Sequence, residues 1–278
     1  MTDRRTHFAN PHVAHDSLRG QVDAPRFSAG KRMAVTRPVA PVHARPDDPA
    51  LDRQALFGHP VTVLEIRDGM AFARCETMGH VGYMPADCLG PWLAPTHRVA
   101  ARATLLFDRP DFKSPDPLAL SCGALVTVAG TEARYARLAG GGFAIAGHLA
   151  PLDQPEPDPV TVAERLTGTP YLWGGNSAFG IDCSGLVQIA CHACGIACPG
   201  DSDQQETALG HTLPPGTPPE RGDLLFWPGH VAWVADADTL LHANACHMAV
   251  AFEPMQQAIA RIAAQGDGPV TRHARLTA

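Results

Sequence analysis

The stretch from Tyr171 to Val187 reads Tyr-Leu-Trp-Gly-Gly-Asn-Ser-Ala-Phe-Gly-Ile-Asp-Cys-Ser-Gly-Leu-Val. A glycine-rich loop here runs straight into an apolar run of helical spacing. Leu186, Val187, Ala190 and Cys194 fall at i, i+1, i+4 and i+8, which is one face of a helix. Asp182 and Ser184 flank Cys183, and both are residue types that cap helices. The spacing therefore predicts a helix whose N-terminus lies at Cys183 or within one turn of it. At such an end the macrodipole and the unpaired N–H groups favour a thiolate. Cys183 is thus a candidate nucleophile. For any one of eight cysteines, a buried structural thiol is the plain alternative.

A nucleophile needs a base. The segment Arg221-Gly-Asp-Leu-Leu-Phe-Trp-Pro-Gly-His-Val-Ala-Trp-Val234 supplies one, because His230 follows a Pro-Gly turn and opens an alternating strand. Thr239-Leu-Leu-His-Ala243 reads as a further short strand carrying His242. Cysteine at a helix start, histidine on a strand and a polar residue on the next strand form a papain-like arrangement.

Six blocks in order carry a family resemblance: Tyr171-x-Trp173-Gly-Gly, Asp182-Cys-Ser-Gly-Leu-Val187, Pro199-x-x-Ser202-x-x-Gln205, Gly222-Asp-Leu-Leu-Phe226, His230-Val and Leu241-His-Ala243. A single Asp-Cys-Ser-Gly would be weak, but the ordered set is specific. Residues 160–278 resemble the NlpC/P60 family of cell-wall cysteine peptidases. The resemblance implies Cys183 as nucleophile, His230 as base and His242 as the residue that orients the base. Asn244 and His247 are the rivals of His242. The family's second oxyanion donor falls on the Tyr171 hydroxyl. Its substrate contacts fall on Trp173, Asp182, Ser184 and Ser202. The substrate implied is a peptidoglycan stem peptide, cut between γ-D-glutamate and a diamino acid. One departure is Gly200 after Pro199, where the family often has arginine, so a cation for a substrate carboxylate is missing.

Upstream, short β segments alternate with turns. Val61–Ile66, Met70–Cys75 and Val81–Met84 are predicted strands, with Arg67-Asp-Gly69 as a hairpin turn. The pattern then recurs. Val61-Thr-Val63 matches Val126-Thr-Val128, Phe72-Ala-Arg74 matches Tyr135-Ala-Arg137, and Gly82–Leu89 matches Gly142–Leu149. The shared Gly-aromatic and Ala-x-x-Leu resemble the end of bacterial SH3 (SH3b) domains. The expected architecture is multidomain: two small all-β SH3b barrels followed by an α+β papain-like NlpC/P60 domain. The expected boundaries are an N-terminal arm at 1–37, barrels at 38–95 and 96–152, a proline-rich linker at 153–159 and the catalytic domain at 160–278. Val160–Leu166 is expected to open the last as a short helix. Apolar Val22, Phe27, Met33 and Val35 favour an ordered arm over a disordered tail. In relatives with two SH3b domains, a tyrosine and an acid of the first barrel select a free L-alanine amine. Tyr83 matches that tyrosine; Asp47, Asp48 and Asp52 are open choices for the acid, and each is equally a solvated loop carboxylate.

With 278 residues, 45% hydrophobic and 18% charged, the chain is globular rather than disordered. A net charge of −6 argues against nucleic-acid partners and a polybasic membrane binder. Cys191-x-x-Cys194 with Cys198 has metal-ligand spacing, but no second pair follows. Core packing of these thiols is the expectation, with no metal and no cofactor. Met1–Pro11 has no apolar core of a secretory signal, and eight cysteines suit a reducing compartment. The expected reading is a cytoplasmic endopeptidase that acts on free L-Ala-γ-D-Glu peptides in murein recycling. The alternatives are an exported lysin of intact peptidoglycan and an inactive wall-peptide-binding protein. An acyltransferase of the circularly permuted relatives is disfavoured, because there histidine precedes cysteine. The sequence leaves the oligomeric state open.

Overall fold

The computed structural model describes residues 2–276. It divides into two compact units, residues 1–152 and 153–278.

The first unit is almost entirely β. Lys31–Val35, Pro60–Arg67, Met70–Cys75, Val81–Pro85 and Leu89–Pro91 form one antiparallel sheet, with Lys31–Val35 between Pro60–Arg67 and Leu89–Pro91. The first sheet thus begins inside the segment expected to be an arm. Met33 and Val35, two residues apart on one strand face, explain this, since their side chains join the same core as Val61 and Val63. The rest of the arm is ordered as well. Phe8 and Val13 pack with Leu64, Phe72 and Val81. A separate ribbon, Val39–Val42 with Arg53–Leu56, meets the sheet through an isolated bridge between His43 and Tyr83. The strands therefore do not close into a continuous hydrogen-bonded barrel among the described residues, contrary to the barrel expected.

The repeat read in the sequence is visible in the backbone. Ala86–Cys88 and Ala146–His148 are each a 3-10 turn that leads into a short strand, Leu89–Pro91 and Leu149–Pro151. Each of these strands pairs back on an early strand of its own repeat, Lys31–Val35 and His97–Val99. The second repeat comprises a five-stranded sheet, which includes Ala103–Phe107, Tyr135–Leu138 and Phe143–Ile145, and a three-stranded one.

The second unit opens on helix α1, Pro159–Glu164. Asp158 caps it by accepting from the Val160 and Thr161 N–H groups, and proline sits where no N–H is needed. Helix α2, Cys183–Ala193, is buried along nearly its whole length. Helix α3 is Ser202–Ala208 and α4 is Met255–Gln265. A six-stranded antiparallel sheet runs in the order His211–Thr212, Arg272–Arg275, Asp223–Trp227, His230–Asp236, Thr239–Asn244, Ala249–Pro254. Helix α2 packs on the two strands that carry His230 and His242. Helix α4 places Met255, Ala258 and Ile262 against Leu225, Trp227, Ala232, Val234 and Leu240. This unit is the α+β domain expected.

Candidate active site

Cys183 is the first residue of α2, where the sequence spacing placed it. Its cap is Asp182. One oxygen of that carboxylate accepts from the Gly185 N–H at 2.7 Å and from the Ser184 hydroxyl at 3.1 Å. The other accepts from the Gly174 N–H at 3.0 Å. One buried side chain therefore pins the helix start and the glycine loop together. Gly174 has φ +73°, a conformation in which a side chain is strained. The resemblance placed Asp182 and Ser184 against substrate. In the structure both are buried and bonded to each other, and Asp182 also holds two backbone N–H groups, so their visible work is to hold the Cys183 backbone.

The candidate base, His230, lies on the adjoining sheet. Cys183 Sγ is 4.0 Å from the carbonyl oxygen of Gly229, the residue before His230. His230 Nε2 and His242 Nδ1 are 2.9 Å apart. The two strands are antiparallel neighbours, with Val234 opposite Leu240, so the histidines approach diagonally on one sheet face. Burial pushes His230 down to about 3, with the His242 ring and the Arg261 charge acting in the same direction. Burial also pushes His242 down to about 4, against the pull of the Glu253 carboxylate. Both rings are therefore neutral at pH 7. A neutral imidazole is what a base needs, since it offers a lone pair. The rivals of His242 are engaged elsewhere: Asn244 Oδ1 accepts from the His247 N–H at 2.8 Å and lies 2.9 Å from its ring Nδ1.

Tyr171 is half-buried, and its backbone N–H donates to Met248 O. Trp173 is 70% exposed. Ser202 starts α3. Gln205, the last residue of its block, is buried and donates to Ser184 O at 2.9 Å and Pro199 O at 3.0 Å, tying α3 to the start of α2. Cys191 is hydrogen-bonded with Cys198, which together with burial raises its thiol far above the ordinary range. Cys191 and Cys198 pack in the core, as expected, while Cys194 is half-buried at the end of α2.

In the first unit, Tyr83 lines a cavity of about 440 Å³ with Asn10, His12, Asp47, Glu65 and Phe72. Asn10 Nδ2 donates to Glu65 Oε1 at 2.8 Å and to the Tyr83 hydroxyl at 3.3 Å. Of the three candidate acids, Asp52 is taken by Arg4 and His80, and Asp48 by Arg45. Asp47, together with the unforeseen Glu65 and Asp68, supplies the carboxylates of the Tyr83 cavity, which Arg67 also lines.

Glu253 was also unforeseen. Its Oε2 accepts from His242 Nε2 at 3.0 Å, and Arg261 forks onto both of its oxygens at 2.9 and 2.7 Å. No local motif marks it, but a glutamate on the strand after the histidine and facing inward was an available signal.

The family model described as NlpC/P60 family matches residues 168–263, and the one described as Bacterial dipeptidyl-peptidase Sh3 domain matches residues 42–89. The chain carries an NlpC/P60 domain behind a bacterial SH3 domain. The match to the NlpC/P60 family encloses Cys183, His230, His242 and Glu253. Among curated relatives, "Dipeptidyl-peptidase 6" of Lysinibacillus sphaericus is 39% identical over 87 residues, which are 31% of each chain. The "Gamma-D-glutamyl-L-lysine dipeptidyl-peptidase" of Bacillus subtilis (strain 168) is 45% identical over 71 residues, 25% of this chain and 23% of that one. The matches thus span 31% and 23% of the length of these relatives. The crystal structure of an NlpC/P60 family protein from Bacillus cereus ATCC 10987 superposes with a TM-score of 0.74, covering 88% of this chain and 99% of that one at 19% identity. That likeness is one of fold.

Proposed function

We propose that the chain is a cysteine endopeptidase that hydrolyses the γ-D-glutamyl–diamino acid bond of peptidoglycan stem peptides. The observation that carries this reading is Cys183 at the start of α2 beside a strand pair whose two histidines are 2.9 Å apart. The Cys183 thiol gives its proton to His230, and the sulfur bonds to the scissile carbonyl carbon. The oxyanion is met by the backbone N–H of Cys183 at the start of α2. The Tyr171 hydroxyl is the second donor. The C–N bond then breaks, the leaving amine takes the proton from His230, and water hydrolyses the thioester by the reverse use of the same base. Trp173 and Ser202 serve as substrate contacts. Asp182 and Ser184 act beneath them by shaping the loop.

The substrate is narrowed further. The cavity that Tyr83 lines in the first unit holds three carboxylates, Asp47, Glu65 and Asp68, against one lining arginine, Arg67, and this excess of acid suits an ammonium; the peptide taken is read as one with a free N-terminal L-alanine. Such peptides arise when the stem is cut from its glycan, and the reading that goes with them is murein recycling in the cytoplasm. Residues 96–152 are read as a second SH3b-type domain on the strength of the repeated 3-10 turn and closing strand.

The test is incubation with L-Ala-γ-D-Glu-diaminopimelate, its N-acetyl form and intact sacculi, with products read by mass spectrometry. Cleavage at the glutamyl bond, lost in Cys183→Ala, is expected. Acetylation replaces a charge-assisted hydrogen bond worth about 1.5–3 kcal/mol, so kcat/KM should fall roughly ten- to a hundredfold. Equal cleavage of both peptides refutes the free-amine reading. Retained activity in Cys183→Ala refutes the nucleophile.

A further inference from the structure

The two histidines do not end the polar chain. Glu253 lies on the strand Ala249–Pro254, opposite Leu240 and diagonal to His242 on the same face. Its Oε2 is 3.0 Å from His242 Nε2. Arg261 of α4 holds the far side of the carboxylate, Nε on Oε1 and Nη2 on Oε2. The Arg261 hydrogen bonds keep the Glu253 carboxyl below its ordinary range despite burial. It is an ionised group and can only accept.

That fact has a direction. A neutral imidazole has one donor nitrogen and one acceptor. Facing an acceptor, His242 must carry its proton on Nε2. Its Nδ1 is then a lone pair, which accepts from Nε2–H of His230. The proton of His230 thus sits on Nε2, and its Nδ1 is left as the lone pair. We infer that Glu253, held by Arg261, is a positioning residue that fixes the tautomers of both rings, so that His230 presents Nδ1 as the base toward Cys183. With the opposite tautomers, His230 would carry a proton on Nδ1 and could accept none. In the forward step the Cys183 proton moves to Nδ1 as the C–S bond forms. The imidazolium keeps its Nε2–H bond to His242, and the proton leaves from Nδ1 to the amine when the C–N bond breaks. Glu253 exchanges no proton and touches no substrate.

The inference rests on the proposed cysteine–histidine chemistry, so part of its test needs no substrate. Nitrogen-15 histidine labelling, with two-bond nitrogen–proton correlation at pH 7.5, reads which nitrogen of each ring is protonated. In the wild type, Nε2–H is expected on both rings, and Nδ1–H on either ring overturns the proposal without any variant. Glu253→Gln is nearly isosteric. Arg261 holds the amide oxygen, which turns the NH₂ group toward His242 Nε2. Both tautomers should flip to Nδ1–H, and alkylation of Cys183 by iodoacetamide should slow at least tenfold. With the tripeptide, kcat should drop by a factor on the order of 10²–10⁴, the contribution of a general base, with about 10⁴ seen when a triad base is held in the wrong tautomer, while KM stays within about threefold. Glu253→Asp retains a carboxylate and should restore the wild-type tautomers and part of kcat. A Glu253→Gln protein with wild-type tautomers and alkylation rate refutes the inference. Failure of the tripeptide as a substrate for the wild type, with the tautomers as expected, counts against the substrate reading alone.

Discussion

Replacing Asp182 by alanine should cost stability as well as rate. The residue caps α2, and loss of such a cap costs about 0.5–2 kcal/mol. It also accepts from the buried Gly174 N–H, which alanine leaves without that acceptor at a further cost of about 1–3 kcal/mol. The sum is roughly 1.5–5 kcal/mol. With an m-value of about 1.5 kcal/mol per molar urea, the midpoint of the catalytic unit should fall by roughly 1–3 M. Trp227 and Trp233 are both buried in that unit, so fluorescence reports its unfolding. Asp182→Asn should lie between the two, because one oxygen still accepts from Gly185 while the amide N–H₂ confronts the Gly174 N–H. The contrary result is specific. A midpoint within about 0.3 M of wild type, below ~0.5 kcal/mol at that m-value, together with a raised KM, would mean the carboxylate serves the substrate and the capping argument is wrong.

Three further outcomes follow from the same geometry. In Gly185→Ala the new Cβ would stand 2.4 Å from Gly175 O, a backbone atom that cannot swing away, so a loss of at least about 1–3 kcal/mol is expected in urea unfolding. A wild-type midpoint would contradict it. His230 and His242 bind protons more weakly folded than unfolded, where histidine titrates near ~6.5. The unfolded chain therefore gains protons first, and stability that is full above that value should be lost as pH falls through about 4 and then 3. Comparing unfolding at pH 7.5 and 5 tests this: His230→Asn should lose less stability on acidification than wild type, and equal losses would count against it. Asp223 is buried and accepts from Arg275, His273 and the Glu220 N–H. Asp223→Asn should destabilise by about 3–5 kcal/mol, as breaking a buried pair does, and a change under ~1 kcal/mol in calorimetry would refute that.

What the sequence disclosed was whatever is local or strictly periodic. The start of α2 was readable because cap, glycine and helical spacing lie within a few residues of Cys183. The strands around Val61, Met70 and Val81 were readable because alternation and an Asp-Gly turn are short-range signals. The repeat betrayed itself through Gly82-Tyr83 and Gly142-Phe143 at matching places. The start of the first sheet was misplaced because Lys31–Val35 has no turn chemistry before it that separates a strand from an arm. Its membership is set by pairing with Val61 and Val63, about thirty residues away. Closure of the barrels was an inference from strand number, and strand number does not determine whether a ladder is continuous.

The acids of both sites were missed for one physical reason. A carboxylate's role depends on what faces it across a sheet, and that is fixed by register. Glu65 meets Tyr83 through Asn10, which lies 55 positions upstream of Glu65. Glu253 meets His242 only because Leu240 pairs with Glu253 and α4 returns Arg261 to the same face. The arginine also explains why the carboxylate does not simply hold protons on the histidines. A lone buried carboxylate would raise the proton affinity of both rings and leave His230 a poor base near neutrality. Paired with Arg261, Glu253 adds almost no net charge while keeping an acceptor aimed at His242. The direction of the hydrogen bonds is thereby set separately from the proton affinity of the base. The two can be separated by experiment: Glu253→Gln removes the direction, whereas Arg261→Gln should leave the direction and shift the acid limb of the kcat profile upward. If instead both variants move the pH profile and neither moves the tautomers, Glu253 acts through its charge alone.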